Sequence, residues 1–137
     1  MRRERGSAII ESALVLVVFM MLTVGLTDAA RMIFAYNEMP FLAHEGARYA
    51  AVHGAKSSTP LTCGEVISHM RGMAPGVVSS LLSITVNGQT SSASATALGA
   101  APTQVTVTTS YTLNPFFRML LGGSTTVSGR SMMQYAQ

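Results

Sequence analysis

The sequence predicts an α+β chain in which a long N-terminal helix, apolar in its first half, packs its second half on a small antiparallel β-sheet. Three observations carry this. From Ser7 to Thr27 every residue is apolar or small and weakly polar, apart from Glu11. Between Ala35 and Ala50, apolar and small residues recur at helical spacing. After Ser83 the pattern changes to alternation, most clearly in Gln104 to Leu113. With 137 residues the chain makes one external domain at most once an apolar helix of that length is set aside.

At ~1.5 Å per helical residue, Ser7 to Thr27 reaches about 30 Å, the thickness of a bilayer's hydrocarbon. Arg2, Arg3 and Arg5 stand before it, and no lysine or arginine follows until Arg31. The positive-inside bias then leaves the amino end in the cytoplasm and exports the bulk of the chain. Asp28 and Arg31 close the apolar stretch, able to pair with each other or to meet headgroups at the outer surface. Glu11 is the anomaly, since a carboxylate costs on the order of 3 kcal/mol at the centre of a span and persists by snorkelling, protonating or finding a cation. Cutting after Gly6 would create such a cation. The new α-amine of Ser7 lies four residues before Glu11, about 6 Å along the axis, so a copy slid by that distance sets its amine against this carboxylate.

The helix continues to about His53, with Ala35, Met39, Leu42, Gly46 and Ala50 on one face and Asn37, Glu38, His44, Glu45 and Arg48 mostly on others. Pro40 lacks an amide hydrogen and crowds the preceding turn, which predicts a kink or a break near Asn37 to Met39. Gly54 to Thr62 reads as a loop, and a short helix over Cys63 to Met73, capped by Thr62, presents Val66, Ile67 and Met70 on one side. Ala74-Pro75-Gly76 ends it, with a further helical turn near Val77 to Leu82. Ser83 to Asn87 is a strand that meets a turn signal at Gly88, and the Ser, Ala, Thr and Gly of Gln89 to Pro102 form a surface loop. In the strand Gln104 to Leu113, Val105, Val107, Thr109, Tyr111 and Leu113 share one face. Asn114-Pro115 starts a helical turn through Leu121, closed by Gly122-Gly123, and Thr125 to Tyr135 is the last strand.

The residues also carry a family resemblance. A basic leader, Gly6, Ser7, Glu11 as fifth residue of a processed chain, and an unbroken apolar helix resemble a type IV prepilin, cut by a prepilin peptidase after the glycine. The run RGSAIIESALVLVVFMMLTVGLTDAARMIFAYNE, followed by AHEGARYAAVHG, is similar to the TadE-like (tight adherence) pseudopilin family. Ser12 departs from that pattern, since pilins of this class usually carry an aromatic after the glutamate. The resemblance implies a type IV pilin-like fold with residues 1–6 as cleaved leader, 7–27 as transmembrane and assembly helix, and 28–137 as exported domain. It further implies a structural subunit of a tight adherence (Flp-type) pilus or related secretion filament, minor or pseudopilin by its length, with surface adhesion and biofilm formation as the role. Its partners would be other pilin or pseudopilin subunits, the prepilin peptidase and an inner-membrane assembly platform. The precursor would sit in the inner membrane, and the assembled subunit in the periplasm or an extracellular pilus.

Other readings stay open at this point. The chain could be an uncleaved signal-anchored protein with a periplasmic binding domain, Glu11 snorkelling and favoured by the helix N-terminal dipole. Thr27-Asp28-Ala29-Ala30 could hold a signal-peptide cleavage site, although no clear A-x-A precedes it. The apolar stretch could be a buried core helix, although so long a run is rare in a soluble fold of this size.

Enzymatic and nucleic-acid functions find no support. The formal charge of +3 falls to +1 once residues 1–6 are set aside, so there is no basic surface for a phosphate backbone. No Asp or Glu follows Glu65, which removes paired carboxylates and hard-metal cages from the C-terminal half. His44-Glu45 is followed by Arg48 where a zincin helix needs its second histidine, and His44, His53, His69 and Cys63 lack paired ligand spacing for zinc. No cofactor or metal is expected. Gly122-Gly123-Ser124 reads as a turn, and the ten methionines, Met20, Met21, Met132 and Met133 among them, as adaptable packing. Cys63, the one cysteine, excludes an internal disulfide and reads as a small semi-buried residue, with an inter-subunit disulfide as the alternative.

Overall fold

The structure is a computed structural model that describes residues 2–53, 61–90, 98, 104–116 and 123–135, with side chains in the first helix from Gly6 onward. Helix α1 covers Arg2–Val52 without interruption. Of the two outcomes expected at Pro40, the break does not occur. Tertiary packing braces this turn: the buried Thr109 hydroxyl donates to the Met39 carbonyl at 2.7 Å, and Gly129 of the sheet lies directly against Met39 and Pro40.

Helix α2, Cys63–Gly72, forms where the sequence places it and begins in a full capping box. Thr62 Oγ1 accepts from the Glu65 amide at 3.3 Å, while the Glu65 carboxylate accepts from the Thr62 amide at 2.6 Å. Two amides that the first turn leaves without helical partners are thereby satisfied. Val66, Ile67 and Met70 are buried, as their spacing predicts. A 3-10 turn follows at Ser79–Leu81, inside the stretch expected to be helical.

Three strands, β1 (Leu82–Val86), β2 (Gln104–Leu113) and β3 (Thr125–Gln134), form an antiparallel sheet in the order β1-β2-β3. β1 lies one residue earlier than expected because Leu82 is a buried partner of Tyr111, and Asn87 belongs to the turn. Asn87 and Gly88 both have positive φ, at 50° and 82°, and Val86 and Gln89 exchange backbone hydrogen bonds of 2.9 Å across them. That is the primed hairpin geometry for which Asn-Gly is the preferred pair. Asn87 also bonds the Thr106 backbone twice, by N–H to carbonyl at 2.9 Å and by Oδ1 from the amide at 2.8 Å, and donates to the Tyr135 hydroxyl at 3.1 Å.

The inner face of β2 is the one predicted: Val105, Val107, Thr109 and Tyr111 are buried and Leu113 is half-buried. It packs on the second half of α1, where Ala35, Met39, Leu42, Ala43, Gly46, Ala47 and Ala50 are buried, and Leu82, Ile84 and Val86 of β1 continue the same core toward α2. Small residues dominate this helix face because two layers press on it. Gly129 of β3 lies so close that a Cβ would meet the Met39 carbonyl group and Pro40 nitrogen at 2.5 Å, and on the α2 side a Cβ at Gly46 would run into the Met70 thioether.

Two expectations are corrected by burial. Leu98, inside the stretch read as a surface loop, is fully buried and donates its amide to the Leu61 carbonyl at 3.0 Å. Cys63 is fully buried, where a semi-buried position was expected, because the first turn of α2 faces the core. The loop reading of residues 54–60 and the helical-turn reading of residues 117–121 lie outside the described residues.

Candidate assembly surface

Among the described residues the first half of α1 is left uncovered: over the most apolar 18-residue window none of its residues is buried. Twelve large apolar side chains from Ile9 to Leu26 are exposed, and the helix is long and apolar enough to cross a membrane. Left in water, these side chains would forgo on the order of 20 kcal/mol of burial. The single carboxylate among them opposes burial by about 3 kcal/mol at most. Apolar burial wins by a wide margin, in lipid or against other helices.

Local hydrogen bonding removes the remaining polar obstacles. Ser12, Thr23 and Thr27 return their hydroxyls to the carbonyls of Ala8, Phe19 and Thr23, four residues back, at 2.8, 2.9 and 2.9 Å. A hydroxyl satisfied by its own helix enters hydrocarbon without an unpaired donor. Ser12 is therefore compatible with an apolar surrounding.

Gly6, Ser7 and Glu11 lie on this unburied segment, all three exposed. Gly6 has nothing near its Cα that a side chain would meet. Glu11 shares a shallow groove with Ser12, Val15, Leu16 and Phe19. The side chains of Arg2, Arg3 and Arg5 lie outside the described residues.

At the other end of the apolar half, Asp28 and Arg31 face the groove where the sheet meets the helix. The Asp28 carboxylate accepts the backbone amide of Phe116 at 2.7 Å, a contact across 88 positions of sequence. No sequence signal marks this bond, since a backbone amide looks the same in every residue.

Two of the three histidines flank one tyrosine, and the third lies apart. His69 stacks on Tyr49 with ring centroids 4.0 Å apart, His53 tilts against the same ring at 4.6 Å, and His44 is exposed on another face. His53 Nδ1 lies 3.0 Å from the Tyr49 carbonyl, a local bond within the helix. Among the described residues no group of three His, Cys, Asp or Glu side chains comes together. Burial pushes the Cys63 thiol up from its ordinary range, the opposite of what a reactive thiolate needs.

The described geometry defines a class: a small α+β domain built on the second half of a helix whose first half awaits an apolar environment. Residues 6–48, the segment that holds Gly6, Glu11, Asp28, Arg31 and Pro40, match the model of the TadE-like protein family. Neither the curated proteins nor the solved structures include a significant match to the chain.

Proposed function

We propose that this chain is a pilin-like structural subunit, minor or pseudopilin, of a tight adherence (Flp-type) pilus or a related secretion filament. The observation that carries the reading is the unburied apolar half of α1, with one exposed carboxylate at Glu11, one helical turn beyond Ser7. As a precursor the chain spans the inner membrane with its amino end in the cytoplasm. A prepilin peptidase hydrolyses the Gly6–Ser7 bond, which removes Arg2, Arg3 and Arg5 and frees the Ser7 amine. Those arginines would resist withdrawal from the cytoplasmic side, and the amine neutralises Glu11 of a neighbouring subunit. An assembly platform then exchanges lipid around the helix for other pilin helices. Surface adhesion and biofilm formation come from analogy with the family.

The continuity of α1 speaks against release as a soluble domain. A cut beside Ala29 or Ala30 would sever a helix within two turns of the buried Ala35. The signal-anchored alternative differs in one measurement. Intact mass of the protein taken from membranes of a host with the peptidase is expected to place the amino terminus at Ser7; a chain that keeps Arg2, Arg3 and Arg5 overturns the reading. Glu11→Ala is expected to strip the subunit from sheared fibres and leave it in the membrane fraction, whereas undiminished incorporation would refute the amine pairing.

A further inference from the structure

We propose that Phe116, just beyond the end of β2, is a membrane foot that inserts into the lipid interface at the outer end of the span. The inference rests on the reading of residues 7–27 as a membrane span and adds to it a second point of lipid contact, on the exported domain.

The span sets where the bilayer surface lies. Its apolar run ends at Thr27, and Asp28 and Arg31 follow at the level where charged groups meet headgroups. The sheet is tied to that level. β2 passes Met39 at Thr109 and reaches Asp28 at Phe116, so the strand descends along α1 toward its apolar half. The 2.7 Å bond from the Phe116 amide to the Asp28 carboxylate fixes the foot of the domain to the first turn beyond the span. At this point the protein presents the Phe116 side chain outward, 74% exposed, beside Arg31, Thr23, Val24 and Thr27.

An exposed phenylalanine is ordinary by itself. One held level with the end of an apolar span, with a cation on the same groove, has the two elements of an interfacial contact: a ring for the acyl boundary and a guanidinium for phosphate. The surface is continuous with the apolar helix, which argues for lipid as its occupant. Two attachments, the span and the foot, hold the domain at a fixed tilt to the membrane, where a single helix would leave it free to swing.

The sequence contains no tryptophan, so a single Trp reports its own surroundings. Full-length protein carrying Phe116→Trp, Phe19→Trp or Val52→Trp is reconstituted into phosphatidylcholine vesicles, with acyl chains brominated near the headgroup or near the methyl end. Phe19 lies within the span, and Val52 is exposed roughly 36 Å beyond Asp28 along the helix. The expected result is blue-shifted emission from F116W, quenched by shallow bromines more than by deep ones, with V52W unquenched and F19W quenched by lipid. F116W emitting as in water, beside a quenched F19W, overturns the foot and leaves the span intact. An unquenched F19W overturns the span and the foot with it. Equal quenching of V52W and F116W also overturns the proposal, because the domain would then be lying non-specifically on the lipid. Asp28→Ala in the F116W background provides a second measurement: releasing the amide is expected to reduce the shallow quenching.

Discussion

Gly129 and Gly46 are both pressed by neighbours, yet they differ in what presses. A methyl at Gly129 meets backbone atoms of Met39 and Pro40, which cannot withdraw without moving helix from sheet. At Gly46 it meets the mobile end of Met70. Gly129→Ala is therefore expected to cost about 2–3 kcal/mol or more, in the range of overpacked cores, and Gly46→Ala distinctly less. Thermal unfolding of the detergent-solubilised protein measures both. Thr109→Val keeps the shape at the same contact and removes the donor to the Met39 carbonyl, an expected loss of about 1 kcal/mol. Cys63 offers a chemical check on its burial. Alkylation by iodoacetamide is expected to be slow in the native protein and fast after denaturation; rapid native labelling would restore the inter-subunit disulfide as a candidate.

The two helices draw their stability from different sources. α2 has ten residues, too few to persist alone, and depends on its cap and on the burial of Val66, Ile67 and Met70. Bonds from the Thr62 amide and hydroxyl hold the Glu65 carboxyl below its usual 4.5. A depressed carboxylate contributes stability that is present above its unfolded value and is lost as pH falls through the lower, folded one. The difference in unfolding midpoint between the native chain and Glu65→Ala should then be constant above about pH 5 and shrink below the ordinary carboxylate range. A difference that persists undiminished at the acid end would show the capping bonds to be independent of charge. Thr62→Ala removes the other half of the box, at an expected cost of about 1 kcal/mol. α1 needs no such device in its second half, where Ala35 to Ala51 bury one face against sheet and α2.

For the molecule as a unit, the division of α1 is the governing fact. Its second half is the spine of a folded domain, and its first half is a binding surface for whatever excludes water. Because one continuous helix joins them, a displacement of the apolar half along its axis carries the domain with it. The direction of the strands matters for the same reason: β2 runs toward the apolar half of α1, where Phe116 meets Asp28, while the turn at Asn87 and Gly88 lies at the opposite end of the sheet. One end of the domain thus lies beside the apolar half of α1, and the other lies away from it.

Much of this was legible in the residues. The apolar run, its single carboxylate, the small-residue face of α1, the Thr62 cap and the inner face of β2 are local patterns, set by the periods of helix and strand and by capping chemistry. What depended on folding is where distant segments meet. The helix stays unbroken at Pro40 because Thr109 and Gly129, 69 and 89 positions further on, pack against that turn. Leu98 enters the core from a stretch of weakly polar sequence, and the Phe116 amide finds Asp28, because sheet docking brings them within reach. Periodicity registers neighbours a few residues apart, whereas contacts between a backbone amide and a remote carboxylate, or a glycine and a remote carbonyl, have no period to read.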